Sequence, residues 1–433
     1  MPSAADLRQK LPFALRTLQN RNFRLFFSGQ LISLVGTWMQ TVAQAWLVYR
    51  LTGSSLLLGA VCFAGQFPVF LIAPVGGIVA DRSDRRRVVI STQTASMLLA
   101  GVLAALTLTQ RVAVWHIFLL ASCLGVVNAF DIPARQAFIV DLVGKKDIMN
   151  AIALNSAMFN GARIIGPAVA GIMVGGIGEG WCFLANAASF LAVICGLLMM
   201  RLEARALPPR DVTPLEDILK GFRFVRNTRP VRALLLLLGM SSVVGMPYAV
   251  LMPIFADRIL HGGARGLGLL MGASGVGALL GALSLTLRSG VRGLGRLATA
   301  CAAGFGLSLI LFAFSRSFWL SAALLVPAGW AMMVQMAASN TLIQCMVPDH
   351  LRGRVMSVYS MMFMGMAPFG SLYAGAMADI VGAPATVALG GILCMGGAAF
   401  FAARLPALRP EARQLILAQG MAEYPPLRPV GPS

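Results

Sequence analysis

Twelve apolar stretches, each long enough to cross a lipid bilayer, constrain this chain more than any other feature. A membrane-spanning helix needs about 20 mostly apolar residues. The stretches lie at 23–49, 55–80, 88–109, 113–133, 151–176, 181–201, 231–256, 266–287, 297–314, 318–341, 354–379 and 385–404. Only 12% of the 433 residues are charged and 58% are hydrophobic, which is too much apolar surface for a soluble fold to hide. The sequence therefore predicts an all-α membrane protein with twelve transmembrane helices.

The positions of the basic residues predict which helix ends face the cytoplasm. With the amino terminus inside, 29 of the 35 Lys and Arg fall on the cytoplasmic side and Arg163 falls within the fifth stretch. The five on the outer side are Arg50, Arg111, Arg258, Arg265 and Arg316. This asymmetry follows the positive-inside rule, so both termini are predicted to be cytoplasmic. The net charge of +19 then reflects topology and contact with anionic lipids, and no nucleic-acid partner is expected.

A polar interruption between the sixth and seventh stretches divides the chain into two halves. The expected parts are a cytoplasmic tail at 1–22, a six-helix bundle at 23–201, a cytoplasmic linker at 202–230, a second six-helix bundle at 231–404 and a cytoplasmic tail at 405–433. The linker is predicted to contain a short amphipathic helix from Pro214 to Arg226. Two repeated halves are the usual architecture of secondary transporters, with a central site near the bilayer midplane.

Several other classes of protein lack support in the sequence. A transport ATPase would need the phosphate-binding pattern G-x-x-x-x-G-K-[ST], which does not occur. The three histidines lie in separate regions, so no catalytic cluster is expected and the chain is not predicted to be an enzyme. The seven cysteines are scattered through or beside apolar runs and are interpreted as small hydrophobic residues. No metal site and no cofactor are expected.

The connection between the second and third stretches carries the most particular motif. It reads GGIVADRSDRRRVVI, from Gly76 to Ile90, and its charges follow the order G-x-x-x-D-R-x-x-R-R. One interpretation is a loop that only fixes topology. The order instead resembles the loop 2–3 signature of the major facilitator superfamily, with Asp84 where that family usually has a second glycine.

Three further stretches resemble the third drug–proton antiporter family of that superfamily, whose members include bacterial enterobactin and macrolide exporters. They are RNFRLFFSGQLISLVGTWMQTVAQAWLV, DIPARQAFIVDLV and NAIALNSAMFNGARIIGPAVAG. The resemblance runs from about Arg21 to Arg404. It implies the major facilitator fold and a multi-pass transporter in the bacterial inner membrane.

The same resemblance implies a latch at the cytoplasmic surface. In the family, the signature aspartate, here Asp81, faces the start of the eleventh helix, and the signature arginine, here Arg85, pairs with an acid that ends the fourth helix. Asp131 is the residue that fits this last position. A carboxylate at a helix amino terminus is favourable, so such a latch would hold the two halves together until the protein opens inward. Its expected members are Gly77, Asp81, Arg82, Arg85, Arg86 and Asp131.

The fifth stretch is poor in bulky side chains around a buried charge. Small residues recur there on two helical faces, Ala162, Gly166 and Ala170 on one and Pro167, Gly171 and Gly175 on the other. Such faces allow close helix packing. The residues Arg163, Gly166, Pro167 and Gly171 resemble the fifth-helix signature that exporters of the superfamily share. We interpret the segment as a packing interface and as a hinge that seals the cavity in one state.

Arg163 itself has two interpretations. An unpaired charge near the middle of a span costs several kcal/mol, so the side chain must face protein or water. It could pair with Asp131 or cap carbonyls at the Pro167 bend, which is a structural role. It could instead attract an anionic group of the substrate or tune a nearby carboxylate. The sequence leaves both open.

Further polar residues are candidates for a substrate cavity because they fall in the first, fourth, fifth and tenth spans, which line the cavity in this fold. Together with Arg163 they are Gln40, Gln44, Asn128, Asn155, Asn160, Gln335 and Asn340. Any one of them is more often an interhelical hydrogen bond. Proton coupling needs an acid that releases and rebinds a proton, and Asp131 is the acid best embedded in a predicted span. Asp131 is therefore also the proton-coupling candidate.

These features predict a secondary active transporter that works by alternating access. The family resemblance implies that it is an exporter of amphipathic small molecules, either drugs or a siderophore-like metabolite, and that it works by proton antiport. The alternatives are an importer of the same fold for a small organic solute, and a receptor or scaffold without transport. The expected partners are the small-molecule substrate, protons and anionic lipids. Nothing in the sequence points to an obligate protein partner.

Overall fold

The computed structural model describes residues 17–201, 214–287 and 290–419. These contain twelve helices long and apolar enough to span a membrane. Their bounds are α1 Arg21–Thr52, α2 Ser55–Arg82, α3 Arg85–Leu108, α4 Val114–Gly144, α5 Asp147–Gly176, α6 Glu179–Met199, α7 Arg229–Ile259, α8 Gly263–Leu285, α9 Leu294–Phe314, α10 Phe318–Met346, α11 Asp349–Val381 and α12 Ala383–Ala418. The prediction of an all-α membrane protein with twelve spans is confirmed. Residues 1–16 and 420–433 of the predicted tails, and 202–213 of the predicted linker, lie outside the described part.

Polar residues and glycine fix where the first helices begin and end. The side chain of Asn20 accepts hydrogen bonds from two backbone amides of the first turn of α1, and Asp84 does the same for α3. Side-chain oxygens at these positions satisfy amides that have no partner within the helix. Asp84 is the residue that departs from the family signature, and its carboxylate explains why α3 starts at Arg85. Gly53 ends α1 with a φ of 62°, which glycine adopts without strain.

Helices α1–α6 pack into one bundle and α7–α12 into a second. We call the end of the molecule that carries Asn20 and Arg201 the terminal face, and the end that carries Gly53 and Gly178 the distal face. The bundles meet mainly at two helix pairs, α5 with α8 and α2 with α11. In the first pair, a Cβ built on Gly171 would lie 3.1 Å from the Cα of Gly268. Glycines let the two backbones touch, and a cavity remains between the bundles.

Two helices of the second bundle are irregular where they border this cavity. Helix α7 changes to π geometry at Ser241–Gly245 and to 3₁₀ geometry at Met246–Ala249. Helix α11 is interrupted between Phe363 and Ala367. Met246 and Ala367 both line the cavity, where irregular backbone at membrane depth is tolerated because it need not face lipid.

The linker and the end of the chain form a base under the second bundle. The linker contains the expected short helix, Pro214–Asn227, whose Val225 is buried against that bundle while Arg223 and Arg226 are exposed. Helix α12 continues to Ala418, well past the apolar stretch that predicted it. Its last turn buries Ile416 in the same apolar cluster as Val225. This packing explains why the helix persists beyond the membrane-spanning segment.

Candidate substrate cavity

A cavity of about 460 Å³ lies between the two bundles. This volume falls within the range of about 300–1,000 Å³ that is usual for small-molecule sites. The first bundle supplies most of the polar lining, including every charged side chain, which are Asp131, Arg135 and Arg163. The second bundle supplies mainly apolar side chains such as Leu267 and Met271. The cavity therefore has one polar wall and one apolar wall.

Only part of the predicted cavity set lines this space. Four members of that set do, Gln40, Gln44, Asn128 and Arg163, as do the proton-coupling candidate Asp131 and Pro167 of the fifth-helix signature. The other four members of the set lie outside this lining: Asn155, Asn160, Gln335 and Asn340.

Local bonding explains why three of these four residues are elsewhere. Asn160 donates its amide to the carbonyl oxygen of Ser156 one turn back, at 2.9 Å. Gln335 and Asn340 belong to α10, which packs between α8 and α9, inside the second bundle. Gln335 is fully buried there and donates to the hydroxyl oxygen of Ser241 at 2.9 Å, and Asn340 bonds to Gln344.

Sequence reasoning missed a polar stripe along α1. Gln30, Ser33, Thr37, Gln40, Thr41 and Gln44 all line the cavity. Their spacing places them along one face of a helix, and this periodicity is the signal that could have identified the whole set. Gln40 also accepts a hydrogen bond from the amide of Asn186 on α6, at 2.6 Å, and Asn186 is a further lining residue that was not predicted.

Asp131 lies in the polar wall and is only 4% exposed. Its Oδ1 accepts hydrogen bonds from Thr92 Oγ1 at 2.8 Å and Gln93 Nε2 at 2.9 Å. Its Oδ2 accepts from Arg135 Nε at 3.0 Å. Gln93 and Arg135, both missed by sequence reasoning, also line the cavity. The charge on Asp131 is thus balanced within the wall of the first bundle.

The expected pairing of Asp131 with Arg85 in a latch is wrong. Arg85 Nη1 instead donates to Asp141 Oδ2 at 2.8 Å, and its Nη2 lies 3.3 Å from Asp81. The cause is the length of α4, which ends at Gly144 and not near the predicted limit at 133. Asp141 is therefore the acid that ends the fourth helix. Asp131 lies thirteen residues earlier than Gly144, about 20 Å along the axis.

The other predicted latch residues lie around an open surface at the terminal face. The Asp81 side chain is 52% exposed. The first part of α11, Asp349–Phe363, packs against the linker helix and α7, whereas its second part, Ala367–Val381, packs along α2. Arg86 donates to the carbonyl oxygens of Leu197 and Leu198 at the end of α6, and Arg82 is exposed. In this conformation the latch is not engaged.

The close approach of α2 to α4 is made by Gly76, the neighbour of the predicted latch residue Gly77. A Cβ on Gly76 would collide with the carbonyl oxygen of Ala129 on α4, whereas a Cβ on Gly77 would meet nothing within 4 Å. Gly77 therefore faces open space at this face of the molecule, and close packing is the role of Gly76.

The two small-residue faces of α5 pack as the sequence predicts. On the first face, a Cβ on Gly166 would lie 2.5 Å from the Cβ of Trp38 on α1. On the second face, Gly171 meets Gly268 on α8, and the carbonyl oxygen of Pro167 also contacts Gly268. Helix α5 therefore holds α1 within its own bundle and α8 of the other bundle at backbone distance.

Arg163 does not pair with Asp131, so that part of the structural interpretation is wrong. Its guanidinium carbon lies 5.8 Å from the centre of the Trp38 ring. No hydrogen bond or ion pair joins Arg163 to another side chain or carbonyl within the described part of the chain. The side chain lines the cavity, about halfway along α5.

The distal face is closed by hydrogen bonds between the bundles. Tyr49 of α1 donates to Asp257 Oδ2 of α7 at 2.8 Å. Asp379, near the end of α11, accepts from the backbone amides of Ser55 and Leu56 at 3.0 and 3.3 Å. The cavity is therefore sealed toward the distal face while the terminal face is open.

Comparison with known proteins places this architecture in a family. The sequence profile of the family described as "Transmembrane secretion effector" matches residues 13–424. The chain belongs to this family. It is a major facilitator transporter and not an enzyme, and the twelve apolar helices make it a multi-pass protein of the bacterial inner membrane.

Curated relatives of this transporter are efflux-type proteins. The "Multidrug efflux pump Tap" of Mycolicibacterium fortuitum is 30% identical, with 88% of this chain and 95% of that protein covered. The "Staphyloferrin A transporter" of Staphylococcus aureus is 25% identical, with 90% and 98% covered. The "Enterobactin exporter EntS" of Shigella boydii is 27% identical, with 78% and 80% covered.

Solved structures confirm the fold of the transporter. The nucleoside transporter NupG superposes with a TM-score of 0.68 at 14% identity, covering 91% of this chain and 99% of that one. A bacterial homologue of the human lysosomal transporter Spinster, in an inward-facing and unoccupied conformation, superposes with a TM-score of 0.66 at 16% identity, covering 96% and 99%.

Proposed function

We propose that the transporter is a secondary active exporter that moves amphipathic small molecules out of the cytoplasm by alternating access, in exchange for protons. The observation that carries this proposal is the cavity between the bundles, which is open at the terminal face, sealed at the distal face, and has Asp131 in its wall. Such a cavity binds on one side of the membrane and must be re-exposed on the other side for release.

The direction of transport rests on the charge distribution and on the relatives. Lys and Arg are concentrated on the segments of the terminal face, so that face is assigned to the cytoplasm. The open cavity then receives its substrate from inside the cell. Two of the relatives are named as an efflux pump and as an exporter, which favours the same direction.

The composition of the two walls supports an amphipathic substrate. A drug or a siderophore-like metabolite would place its polar part against the first bundle and its apolar part against residues such as Leu267 and Met271. Flexible methionine side chains adapt to ligands of different shape. This arrangement fits a transporter with more than one substrate.

Asp131 is suited to exchange a proton because two of the groups that donate hydrogen bonds to it can also accept one. The hydroxyl of Thr92 and the amide of Gln93 both donate to Oδ1, and each also has an oxygen that can accept. The amide oxygen of Gln93 is buried without a partner. A proton on Oδ1 could therefore be donated to Gln93 after its amide rotates, while Oδ2 keeps its bond to Arg135.

Flux in energised inside-out vesicles tests this function. A pH-sensitive dye inside the vesicles would report proton movement while a lipophilic cation, a neutral macrolide and a catecholate siderophore are added in turn. We expect at least one of them to accumulate in the lumen as protons leave it. Asp131→Asn should abolish the proton movement, because an amide cannot carry the proton.

The matched control is Glu411→Gln, which removes an acid that lies outside the cavity lining. It should leave the proton movement in place. Movement of the probe in the opposite direction would favour the importer, and correctly inserted protein that moves none of the three probes would favour a receptor or scaffold.

A further inference from the structure

Arg163 is a cation without a counter-ion inside the cavity. The acid of the same wall, Asp131, already accepts from Arg135 at 3.0 Å. No carboxylate of the described residues forms an ion pair with Arg163, and its guanidinium carbon lies 5.8 Å from the centre of the Trp38 ring. Since Asp131 and Arg135 balance each other, the lining carries the unbalanced positive charge of Arg163.

The position of this charge favours an anionic ligand. A cation near the middle of a span is costly unless it is paired or hydrated, and the ring of Trp38 offsets only part of that cost. Arg163 is partly exposed and lines the cavity. An anionic group entering the cavity would gain the interaction that the protein itself does not supply.

The fold also builds a platform beside the guanidinium. Gly166, one turn after Arg163, lets α5 approach α1 until a Cβ would lie 2.5 Å from the Cβ of Trp38. Phe159, one turn before Arg163, packs edge-on against the Trp38 ring with centroids 5.6 Å apart. Trp38 is thus held between two turns of α5, with its ring beside the guanidinium.

We propose that Arg163 and Trp38 form an anion-binding subsite that takes the carboxylate or phenolate of an aromatic, amphipathic substrate. The planar guanidinium presents paired donors that match a carboxylate, and the indole ring offers a surface for an aromatic body. The proposal rests on the transport function proposed above and specifies its substrate class. An anionic lipid headgroup has the same chemistry and is separated by the experiment.

Equilibrium binding of two matched ligands tests the subsite. The probes are 2-naphthoate and 2-naphthamide, which have similar shape and differ in charge, measured on the purified full-length protein in phosphatidylcholine nanodiscs. Wild type should prefer the carboxylate. Arg163→Gln should weaken naphthoate binding roughly tenfold or more, as expected for loss of a charge-assisted bond, and leave naphthamide binding unchanged.

Two further variants keep the result interpretable if one of them fails to fold. Arg163→Lys retains the charge and should keep part of the preference for naphthoate. Trp38→Leu removes the ring and should weaken both ligands alike. Arg111→Gln, which removes an exposed cation outside the cavity lining, is the matched control and should bind as wild type does. Gel filtration reports folding for each variant.

The proposal is overturned if wild type does not prefer naphthoate over naphthamide, or if Arg163→Gln keeps that preference. It is also overturned if replacing part of the phosphatidylcholine by phosphatidylglycerol removes the preference in wild type, since the site then belongs to a lipid headgroup. The vesicle assay is separate. Loss of flux with the binding preference intact would remove the exporter proposal and leave the subsite standing.

Discussion

The two ends of the α2–α11 pair differ in a way that explains the conformation. At the distal face, Asp379 of α11 accepts hydrogen bonds from the first amides of α2, at 3.0 Å from Ser55 and 3.3 Å from Leu56. At the terminal face, Asp81 of α2 is 52% exposed, and the start of α11 packs against the linker helix and α7. One end of this antiparallel pair is capped across the bundles and the other is not.

The sequence shows that both ends carry the same chemistry. Helix α2 closes with GIVAD, from Gly77 to Asp81, and the last turns of α11 contain GAMAD, from Gly375 to Asp379. In each, an acid follows a glycine by four residues and belongs to the end of a helix whose partner begins nearby. A carboxylate at a helix amino terminus is favourable wherever it is placed. We interpret the difference between the ends as a difference of state, with one cap formed while the other is open.

The largest expected effect comes from substituting a glycine where α2 and α11 touch near the distal face. A Cβ on Gly59 would collide with the carbonyl oxygen of Ser371 and lie 3.1 Å from the Cα of Gly375. Gly59→Val should therefore prevent distal closure and reduce transport more than a hundredfold. Distances between nitroxide labels at Thr109 and Ser317, introduced as non-natural residues because of the native cysteines, would measure the separation of the bundles. Gly101→Val is the control, because a Cβ on Gly101 would meet nothing within 4 Å. An unchanged label distance in Gly59→Val would show that contact between α2 and α11 at Gly59 is not needed for distal closure.

Neutralising the distal cap should have the next largest effect. Asp379→Asn removes the negative charge at the amino terminus of α2, and such a charge contributes about 0.3–1 kcal/mol and up to about 2 kcal/mol. The ratio of distal-closed to distal-open molecules should fall by roughly two- to thirtyfold, measured with the same labels. Glu179→Gln is the matched control, because Glu179 pairs with Arg50 within the first bundle at 2.7 Å. A similar shift in both variants would show that distal negative charge, and not the cap, controls the gate.

A smaller shift in the same direction is expected from the hydrogen bond between Tyr49 and Asp257 at the same face. Tyr49→Phe removes a donor to Asp257 at 2.8 Å, and a hydrogen bond to a charged group contributes about 1.5–3 kcal/mol at most. Because the pair is partly exposed, we expect a shift of severalfold at most. Tyr373→Phe, whose hydroxyl forms no hydrogen bond among the described residues, should leave the label distances unchanged. If Tyr49→Phe has no larger effect than Tyr373→Phe, the hydrogen bond from Tyr49 to Asp257 does not contribute to closing the distal face.

The smallest effect in this conformation, and one of opposite sign, is expected at the terminal face. Asp81 caps nothing on α11 here, so Asp81→Asn should destabilise only the state in which the terminal face is closed. The distal-closed fraction should rise slightly. The double variant Asp81→Asn/Asp379→Asn should have a ratio of distal-closed to distal-open molecules closer to that of wild type. If the two single variants shift the label distances in the same direction, the two acids do not play equivalent roles at the two ends.

The sequence predicted the number and approximate position of the helices because apolar length alone determines which segments cross the membrane. It did not predict where α4 ends. The apolar stretch that predicted α4 ends at residue 133, but the helix continues to Gly144, whose φ of 68° makes the turn in very few residues. Charged residues are tolerated in helix ends that leave the membrane, so their presence does not mark the last apolar turn. The misassignment of Asp131 to the latch followed from this error.

The cavity residues were only half predicted, for a different reason. Which side of a helix faces the cavity depends on its rotation against its neighbours, and a single sequence does not fix that rotation. Gln335 on α10 points into its own bundle, where it bonds to Ser241, although its residue type suits a cavity equally well. Arg163 and Asp131 are both embedded and opposite in charge, but Asp131 pairs with Arg135, which lies one turn away on the same helix.

The unequal walls of the cavity divide two tasks between the halves of the molecule. In the proposed mechanism, the charge of the substrate and the exchanged proton interact with Asp131, Arg135 and Arg163 of the first bundle. The apolar surface of the second bundle, which includes Leu267 and Met271, would then select substrates by their shape. Substitutions in the second surface would change which molecular outlines are accepted without altering how the transporter is energised. A lineage could therefore acquire new substrates by varying one half of the chain while the energy-converting half stays the same.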